Sequence, residues 1–334
     1  MKRLRLKYLI RNLYNALAYD SHREDLLLLQ RQQELLYAME SENKQLRTRL
    51  DQLQLQIIFS YFMEHPNEAT IYEEELAYFS NYGLCVFPYE QVKVVEDVRG
   101  GIEEALKLPY VLHNNKKLYF PSTYTLDAAL STYRNFIETE NILGGGYRTK
   151  SPHQYQTESF KIEEGDVLLD VGCAEGLLAL DNIEKVSKVY LVESDPQWLP
   201  ALNATFAPYK DKVVIINKIV SDVDSDMRIT LQSILEKEEG KPALIKMDIE
   251  GNELQALLAS KEYIQSHPNL KFACCTYHRQ NDASEISHFF DSIGRKYEFS
   301  DGYMFFMYDE LSHINPPYFR KGIIRVKSLV STSF

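Results

Sequence analysis

The segment VLLDVGCAEGLLAL, residues 167–180, decides the fold. An apolar run reaches Asp170, small residues follow at Gly172, Ala174 and Gly176, and an apolar helical pattern begins directly after them. Continuous apolar runs are typical of strands that are buried on both faces, as in parallel sheets. A strand that turns through small residues into a helix brings backbone N–H groups and a helix N-terminus to one point, which suits a bound ligand. The segment therefore predicts the first strand–helix unit of an α/β domain.

The same alternation of strand and helix continues after this unit, to about residue 311. Further apolar strands are predicted in SKVYLVES, KVVIINKIV, ALIKMD and KFACCTYH, with helices such as NELQALLASKEYIQSH and ASEISHFFDSIG between them. KYEFSDG and YMFFMY then follow with almost no connection, which permits only an antiparallel hairpin. The pattern predicts an α/β fold with a seven-stranded, Rossmann-like, mostly parallel sheet over residues 151–315. Residues 316–334, with the basic FRKGIIRVK, are interpreted as a solvated tail.

The first region, residues 1–63, contains no Gly or Pro and is predicted to be one long helix. A heptad register places an apolar residue at most core positions and one Asn at position a, where it would fix the register of a parallel dimer. We expect a homodimeric coiled coil, although the seam could instead pack on its own chain. Position a takes Leu29, Leu36, Asn43, Leu50 and Ile57, and position d takes Gln32, Met39, Leu46 and Leu53.

The second region, residues 64–150, mixes short segments and is predicted to be a small α+β region. YVLHNNKKLYF has two strand-forming runs around Asn114–Asn115, which predicts a hairpin. TLDAALSTYRNFIETEN is predicted to be a helix that starts near Ser122 or Thr125.

Composition and charge narrow the class of protein. The chain has 334 residues, a formal net charge of -11 and a pI near 5.3. An acidic protein is poorly suited to general binding of nucleic acid. The four cysteines lack the spacing of a zinc site or a disulfide framework, so a reducing, cytoplasmic setting is expected. The N-terminal MKRLRLKYLIRNLYNAL resembles neither a signal peptide nor a membrane span; it could lie on an anionic membrane as an amphipathic helix or pack as a soluble one.

The small-residue turn is the first candidate ligand site. A dinucleotide fingerprint would need glycine at three positions, but Ala174 and Leu177 occupy two of them. The remaining pattern suits S-adenosylmethionine, whose carboxylate and ammonium would lie along the turn. The predicted cofactor-binding residues here are Asp170, Gly172, Cys173, Ala174 and Gly176.

The next two strands extend this candidate site. Glu193 ends the second strand, where an acidic side chain can accept hydrogen bonds from ribose hydroxyls. Ser194 follows it, and Glu193 could alternatively be only a neighbour of a helix cap. Ser221 and Asp222 follow the third strand, where an adenine amino group would lie.

LIKMDIEGNEL, residues 244–254, supplies the candidate catalytic residues. Lys246, Asp248 and Glu250 share one face of a strand that ends beside the first strand, and His278 ends the strand after it. We expect His278 to be the general base, with Asp248 orienting the acceptor or the cofactor's ammonium, and Lys246 neutralising a carboxylate. Two alternatives stay open: a structural ion pair of Lys246 with Asp248 or Glu250, and a divalent metal on Asp248, Glu250 and His278, which the spacing does not demand.

SPHQY precedes the first strand. Ser151, His153 and Tyr155 are candidate substrate or lid residues, because this segment could fold over the cofactor. The alternative is a capping turn that starts at Ser151.

These motifs together resemble the FkbM-type methyltransferases over residues 150–310. The resemblance rests on DVGCAEG, LVESDP, IVSD, ITLQSIL and PALIKMDIEGNELQALL, and K-x-D-x-E-G-x-E is its most specific element. It implies a class I enzyme that depends on S-adenosylmethionine and O-methylates a sugar or other small hydroxyl compound. Gln232 departs from the family, which usually has an acid there. The competing hypothesis is a catalytically silent copy that acts as an assembly partner in a biosynthetic complex.

Overall fold

The computed structural model divides the chain into two compact units, Met1–Tyr61 and Phe62–Phe334. The heptad positions 29, 32 and 36 and the N-terminal amphipathic prediction lie outside the residues that the structure describes. Those residues are 31, 35, 38, 39, 41–92, 97–306 and 315–329.

Residues 41–64 are helical (α1), which agrees with the long helix expected there. The described apolar side chains of the predicted seam, however, are between 39% and 59% exposed: Met39, Leu46, Leu50, Leu53 and Ile57. These five side chains are therefore largely exposed among the residues that the structure describes. No described helix combines the length and the apolar content that a bilayer crossing requires.

The segment that follows contains two helices, a three-stranded sheet and a third helix. Asn114 and Asn115 both have positive φ, as the two central residues of a type I′ turn require, so the predicted hairpin is confirmed. Thr125 accepts a hydrogen bond from Ala128 N at 3.1 Å and caps the third helix. These elements are α2 (Pro66–Ile71), α3 (Glu73–Tyr82), β1 (Gly100–Glu103), β2 (Leu108–His113), β3 (Lys116–Tyr119) and α4 (Leu126–Arg134).

The large domain is built on a seven-stranded sheet with the order β11-β14-β10-β9-β4-β5-β6. Only β14 runs antiparallel to its neighbours. The strands of this sheet are β4 (Val167–Val171), β5 (Lys188–Val192), β6 (Val213–Ile216), β9 (Ala243–Met247), β10 (Leu270–Cys275), β11 (Tyr297–Phe299) and β14 (Ile323–Val326). The predicted Rossmann-like α/β fold is confirmed.

Helices and short strand pairs connect and cover this sheet. The helices are α5 (Leu177–Asn182), α6 (Leu199–Phe206), α7 (Leu231–Leu235), α8 (Glu253–Ala259), α9 (Lys261–Ser266) and α10 (Asp282–Ser292). The short strands are β7 (Ile219–Val220), β8 (Arg228–Ile229), β12 (Met304–Phe305) and β13 (Phe319–Arg320), which pair as β7-β8 and β12-β13.

The sheet separates two hydrophobic cores, because alternate side chains of a strand point to opposite faces. Leu168 and Leu244 belong to one core, whereas Val167, Leu169 and Ile245 belong to the other. Burial on both faces accounts for the uninterrupted apolar runs in the sequence.

The closing strands differ from the prediction. YMFFMY does not pair with KYEFSDG; Met304–Phe305 instead pairs with Phe319–Arg320 in a separate ribbon. The last strand of the sheet is β14, which lies between β10 and β11 and falls within the expected tail. Ile323, Ile324 and Val326 are fully buried there. This strand was not predicted because the basic residues of FRKGIIRVK, Arg325 among them, interrupt its apolar pattern. In the structure, the Arg325 guanidinium lies 3.7 Å from the Glu298 carboxylate.

Candidate active site

The sheet order brings the carboxyl ends of three strands together. β4 lies between β5 and β9. Strands β5 and β6 follow on one side of β4, whereas β9 and β10 lie on its other side, so the strand order switches at β4. Ligands bind at such a switch point in open parallel sheets. Val171 is level with both Val192 and Met247. The residues that follow these three strand ends therefore share one edge.

Gly172 lies directly against the turn that follows β9. Its φ is +69°, and a Cβ atom at this position would lie 1.8 Å from the carbonyl oxygen of Asp248. Its N–H donates to Val192 O at 2.8 Å. A side chain cannot occupy this position without displacing the backbone of the neighbouring turn.

Glu193 is held at the tip of β5 by backbone amides. Its Oε2 accepts from Ala174 N at 2.9 Å and its Oε1 accepts from Asp195 N at 2.8 Å. The carboxylate lines the cavity described below and retains lone pairs that can accept further hydrogen bonds.

Lys246 is buried beneath the turn and is paired with Asp170. Its Nζ lies 3.2 Å from Asp170 Oδ1 and donates to Gly172 O at 2.5 Å. Burial opposes the charge of Lys246, but the charges of Asp170 and Asp248 hold its pKa above the usual range. The alternative considered from the sequence was an ion pair of Lys246 with Asp248 or Glu250; in the structure the paired carboxylate is that of Asp170.

Asp248 is surrounded by hydrogen-bond donors. Tyr155 donates to its Oδ2 at 2.9 Å, Tyr277 donates to its Oδ1 at 3.3 Å, and His278 Nε2 lies 3.2 Å from its Oδ1. Burial opposes the charged form, yet the bond from His278 and the charge of Lys246 hold the pKa of Asp248 well below its usual range. This carboxylate stays ionised and is a weak base.

His278 lies between two carboxylates. Its Nε2 faces Asp248, and its Nδ1 lies 3.1 Å from Glu253 Oε1. Although burial favours the neutral ring, the carboxylates of Asp248 and Glu253 raise the pKa of His278 to about 10. An imidazolium cannot accept a proton, so this geometry disfavours the general-base role expected for His278. Glu250 is 89% exposed at 3.7 Å from Nε2.

His153 is buried and neutral. Its Nε2 lies 3.3 Å from the hydroxyl of Tyr155 and 3.2 Å from that of Tyr277, and its ring stacks on Phe87. Burial lowers its pKa to about 4. Ser151, the first of the three candidate lid residues, does not line the cavity. Its hydroxyl accepts a hydrogen bond from the side-chain amide of Asn141.

A cavity of about 930 Å³ joins these groups. One half lies over the turn and contains Gly172, Ala174, Glu193, Ser194 and Lys218–Val220. The other half is formed largely by the segment before β4, with aromatic, amide and acidic side chains. Its lining includes Tyr78, Phe87, Gln91, Asn135, Thr139, Glu140, His153, Tyr277 and Phe306. Asp248, Glu250 and His278 also line the cavity.

The predicted cofactor residues divide into two groups. Gly172, Ala174, Glu193, Ser194 and Asp248 line the cavity. Asp170, Cys173, Gly176, Ser221 and Asp222 do not, and Lys218–Val220 line the wall where Ser221 and Asp222 were expected. Ser221 instead donates to Asp222 Oδ1 at 2.9 Å.

Two acidic residues of the site were missed in the sequence. Glu253 closes the K-x-D-x-E-G-x-E motif, so its spacing from Asp248 was a usable signal. Its Oε1 accepts from Ile249 N at 2.8 Å as well as facing His278. Glu140 carries no motif, and no sequence signal would have found it.

The sheet order, the turn at Gly172 and the carboxylate of Glu193 belong to a Rossmann-like domain with a candidate ligand site at one edge of its sheet. Residues 188–306 match the family model "Methyltransferase FkbM domain", so this part of the chain is similar to that family of methyltransferases. No curated protein matches the sequence.

Solved structures with a similar fold include three with low sequence identity. Methyltransferase FkbM from Methylobacillus flagellatus is 20% identical with a TM-score of 0.39, over 50% of this chain and 44% of that one. Precorrin-6y C5,15-methyltransferase from Geobacter metallireducens is 10% identical with a TM-score of 0.33, over 50% and 80%. An rRNA methylase from Streptococcus thermophilus is 14% identical with a TM-score of 0.31, over 51% and 90%. This chain thus aligns with less than half the length of the Methylobacillus protein.

Proposed function

We propose that this protein is an S-adenosylmethionine-dependent methyltransferase that acts on a hydroxyl of a small molecule or sugar. The observation that carries the proposal is the single cavity, which runs from the turn at Gly172 and Glu193 to a second half able to hold an acceptor. When bound, S-adenosylmethionine supplies a methyl group on a sulfonium cation. The four free cysteines support a reducing, cytoplasmic setting.

The residues of the first half fit this cofactor. Gly172 leaves open the space that a side chain would fill beside the Asp248 backbone. Glu193, fixed by two amides, would accept hydrogen bonds from ribose hydroxyls. The ionised Asp248 would face the positive ammonium or sulfonium group.

The lining of the second half supports a hydroxylated acceptor. Phe87, Tyr277 and Phe306 offer aromatic faces, while Gln91 and Asn135 offer amide groups that can bind hydroxyls. Glu140, Asp248 and Glu250 would repel phosphate groups, and the whole chain carries a net charge of -11. These charges favour an uncharged acceptor over RNA, the substrate named for the Streptococcus protein.

Binding of S-adenosylhomocysteine, measured by isothermal titration calorimetry, tests the proposal. We expect the wild-type protein to bind it, and Glu193→Gln to bind it about 10- to 100-fold more weakly, because hydrogen bonds to a charged group contribute about 1.5–3 kcal/mol. Glu158→Gln, at a fully exposed carboxyl far from the cavity lining, is the matched control and should leave the affinity unchanged. Absence of wild-type binding would instead favour a catalytically silent assembly partner.

We propose further that α1 forms a parallel homodimeric coiled coil. In the predicted register, Glu42 at position g of one copy is placed to pair with Arg47 at position e of its partner, and Asn43 faces its own copy. The exposed apolar seam of the single chain supports a second copy as its occupant.

Changing one seam residue to aspartate should therefore separate the two copies. We expect Leu53→Asp to be a monomer and the wild-type protein a dimer in light scattering after size exclusion, because the aspartates would face each other in the seam. Gln52→Asp adds the same charge at position c, outside the seam, and should remain a dimer. A wild-type monomer would contradict the assignment.

A further inference from the structure

Glu140 lies in the second half of the cavity, at the end of an irregular helix. α4 passes directly into a π-turn, Asn135–Thr139, and the N–H of Glu140 donates to Asn135 O at 2.8 Å. Such turns insert an extra residue in a helical turn and occur often at functional sites. Here the turn ends at a carboxyl group that lines the cavity.

The groups around Asp248 are poorly suited to accept a proton. Asp248 is ionised but stabilised by Tyr155, Tyr277 and His278. His278 is already protonated between two carboxylates. Neither Asp248 nor His278 is thus well placed to take the proton of an acceptor hydroxyl, which directs attention to the other carboxyl groups of the cavity lining.

Glu140 has the environment of a base that works near neutral pH. Burial and the negative charge of Asp248 raise its pKa to about 7, although Lys246 and a hydrogen bond from Asn135 act in the opposite direction. Asn135 Nδ2 donates to Glu140 Oε1 at 2.8 Å, which orients the carboxyl group. A general base is most effective when its pKa lies near the working pH.

Other titratable groups lie around Glu140. Glu175 is fully buried next to the turn after β4, and burial raises its pKa to about 8. Tyr147 and Tyr277 have raised pKa values, also because of burial, and remain neutral at pH 7. The carboxyl group of Glu140, which lines the cavity, therefore changes charge near pH 7.

We propose that Glu140 is the general base that takes the proton of the acceptor hydroxyl; this rests on the methyltransferase function proposed above. The acceptor oxygen forms a bond to the methyl carbon as the carbon–sulfur bond breaks, and the bonding pair stays on sulfur. The O–H proton moves to the Glu140 carboxylate and leaves to solvent after the product departs. Asn135 is a positioning residue that holds the carboxylate toward the acceptor.

Methyl transfer from tritiated S-adenosylmethionine to neutral methyl glycosides tests this role between pH 5.5 and 9. The wild-type rate should rise with pH up to about 7 and then level off, because the carboxylate is the active form. Glu140→Gln should lower kcat about 10²- to 10⁴-fold and lose this dependence. Glu140→Asp should recover part of the rate. Glu138→Gln, in the same π-turn but outside the cavity lining, should behave as wild type.

Binding of S-adenosylhomocysteine separates this inference from the proposed function. Glu140→Gln should keep the wild-type affinity, since Glu140 faces the acceptor half. If the wild-type protein binds and transfers while Glu140→Gln keeps both the rate and the pH dependence, the base role is overturned and the methyltransferase function stands. If the wild-type protein does not bind S-adenosylhomocysteine, both are overturned.

A carbon-13 NMR titration of glutamate carboxyls in the S-adenosylhomocysteine complex gives a result even if no glycoside is methylated. We expect one resonance that is absent from Glu140→Gln and titrates near pH 7. A Glu140 resonance that titrates near the ordinary value of about 4.3 would overturn the base role without any acceptor.

Discussion

Replacing Gly172 with alanine should abolish measurable binding of S-adenosylhomocysteine and lower the free energy of unfolding by about 3 kcal/mol or more. The added Cβ would lie 1.8 Å from the carbonyl oxygen of Asp248, and the φ of +69° is unfavourable for any L side chain. The turns after β4 and β9 would have to separate, which moves Asp248 away from the cofactor half of the cavity. Calorimetric titration and urea unfolding measure the two effects.

Gly165→Ala is the matched control for this substitution. Gly165 has a φ of +84°, but an added Cβ would meet nothing within 4 Å. Alanine there should cost only the backbone strain, about 1–2 kcal/mol, and leave binding intact. If Gly172→Ala bound as tightly as Gly165→Ala, the close approach of the two turns would not matter for the ligand.

Replacing Lys246 with methionine is expected to destabilise the fold by about 3–5 kcal/mol, because it leaves a buried carboxylate without its cation. Asp170 is 1% exposed, and Lys246 Nζ is 3.2 Å from its Oδ1. Lys246 also donates to Gly172 O, so the turn should loosen as well. Urea unfolding at pH 7 measures the loss.

Two further variants identify the cause of that loss. Asp170→Asn combined with Lys246→Met should recover part of the stability, since no buried charge then remains unpaired. Lys161→Met removes the cation of an exposed pair, 4.0 Å from Glu158, and should change little. Similar losses in Lys246→Met and Lys161→Met would contradict a special role for the buried pair.

The centre of the parallel sheet was predictable because its strands are buried on both faces and are therefore mostly apolar. Val167–Val171 and Ala243–Met247 are buried at every position and were identified directly. β14 was not identified, because Arg325 lies within it and its pairing with Glu298 depends on tertiary structure. The aromatic run at Met304–Phe305 matched a strand pattern, but the sequence could not tell which strand it would pair with.

The site residues that follow directly after a strand could be predicted from the sequence. The protonation states and the residues of the helical segment before β4 could not. Gly172, Glu193 and Asp248 follow β4, β5 and β9, and all line the cavity. The pKa of His278 was not predictable: it is raised by Asp248 and also by Glu253, whose place beside the second ring nitrogen requires the three-dimensional arrangement. Glu140 reaches the cavity through a π-turn, and helical periodicity gives no sign of such a turn.

The position of β14 has a consequence for how the domain is made during translation. β10 and β11 do not pair with each other; each pairs with β14, which is synthesised after both of them. Until Val326 has been added, both strands have an open edge that could pair with another chain. A nascent chain would therefore carry two unprotected edges from the completion of β11 until β14 has been added, which makes this domain a candidate for chaperone assistance until the final strand inserts.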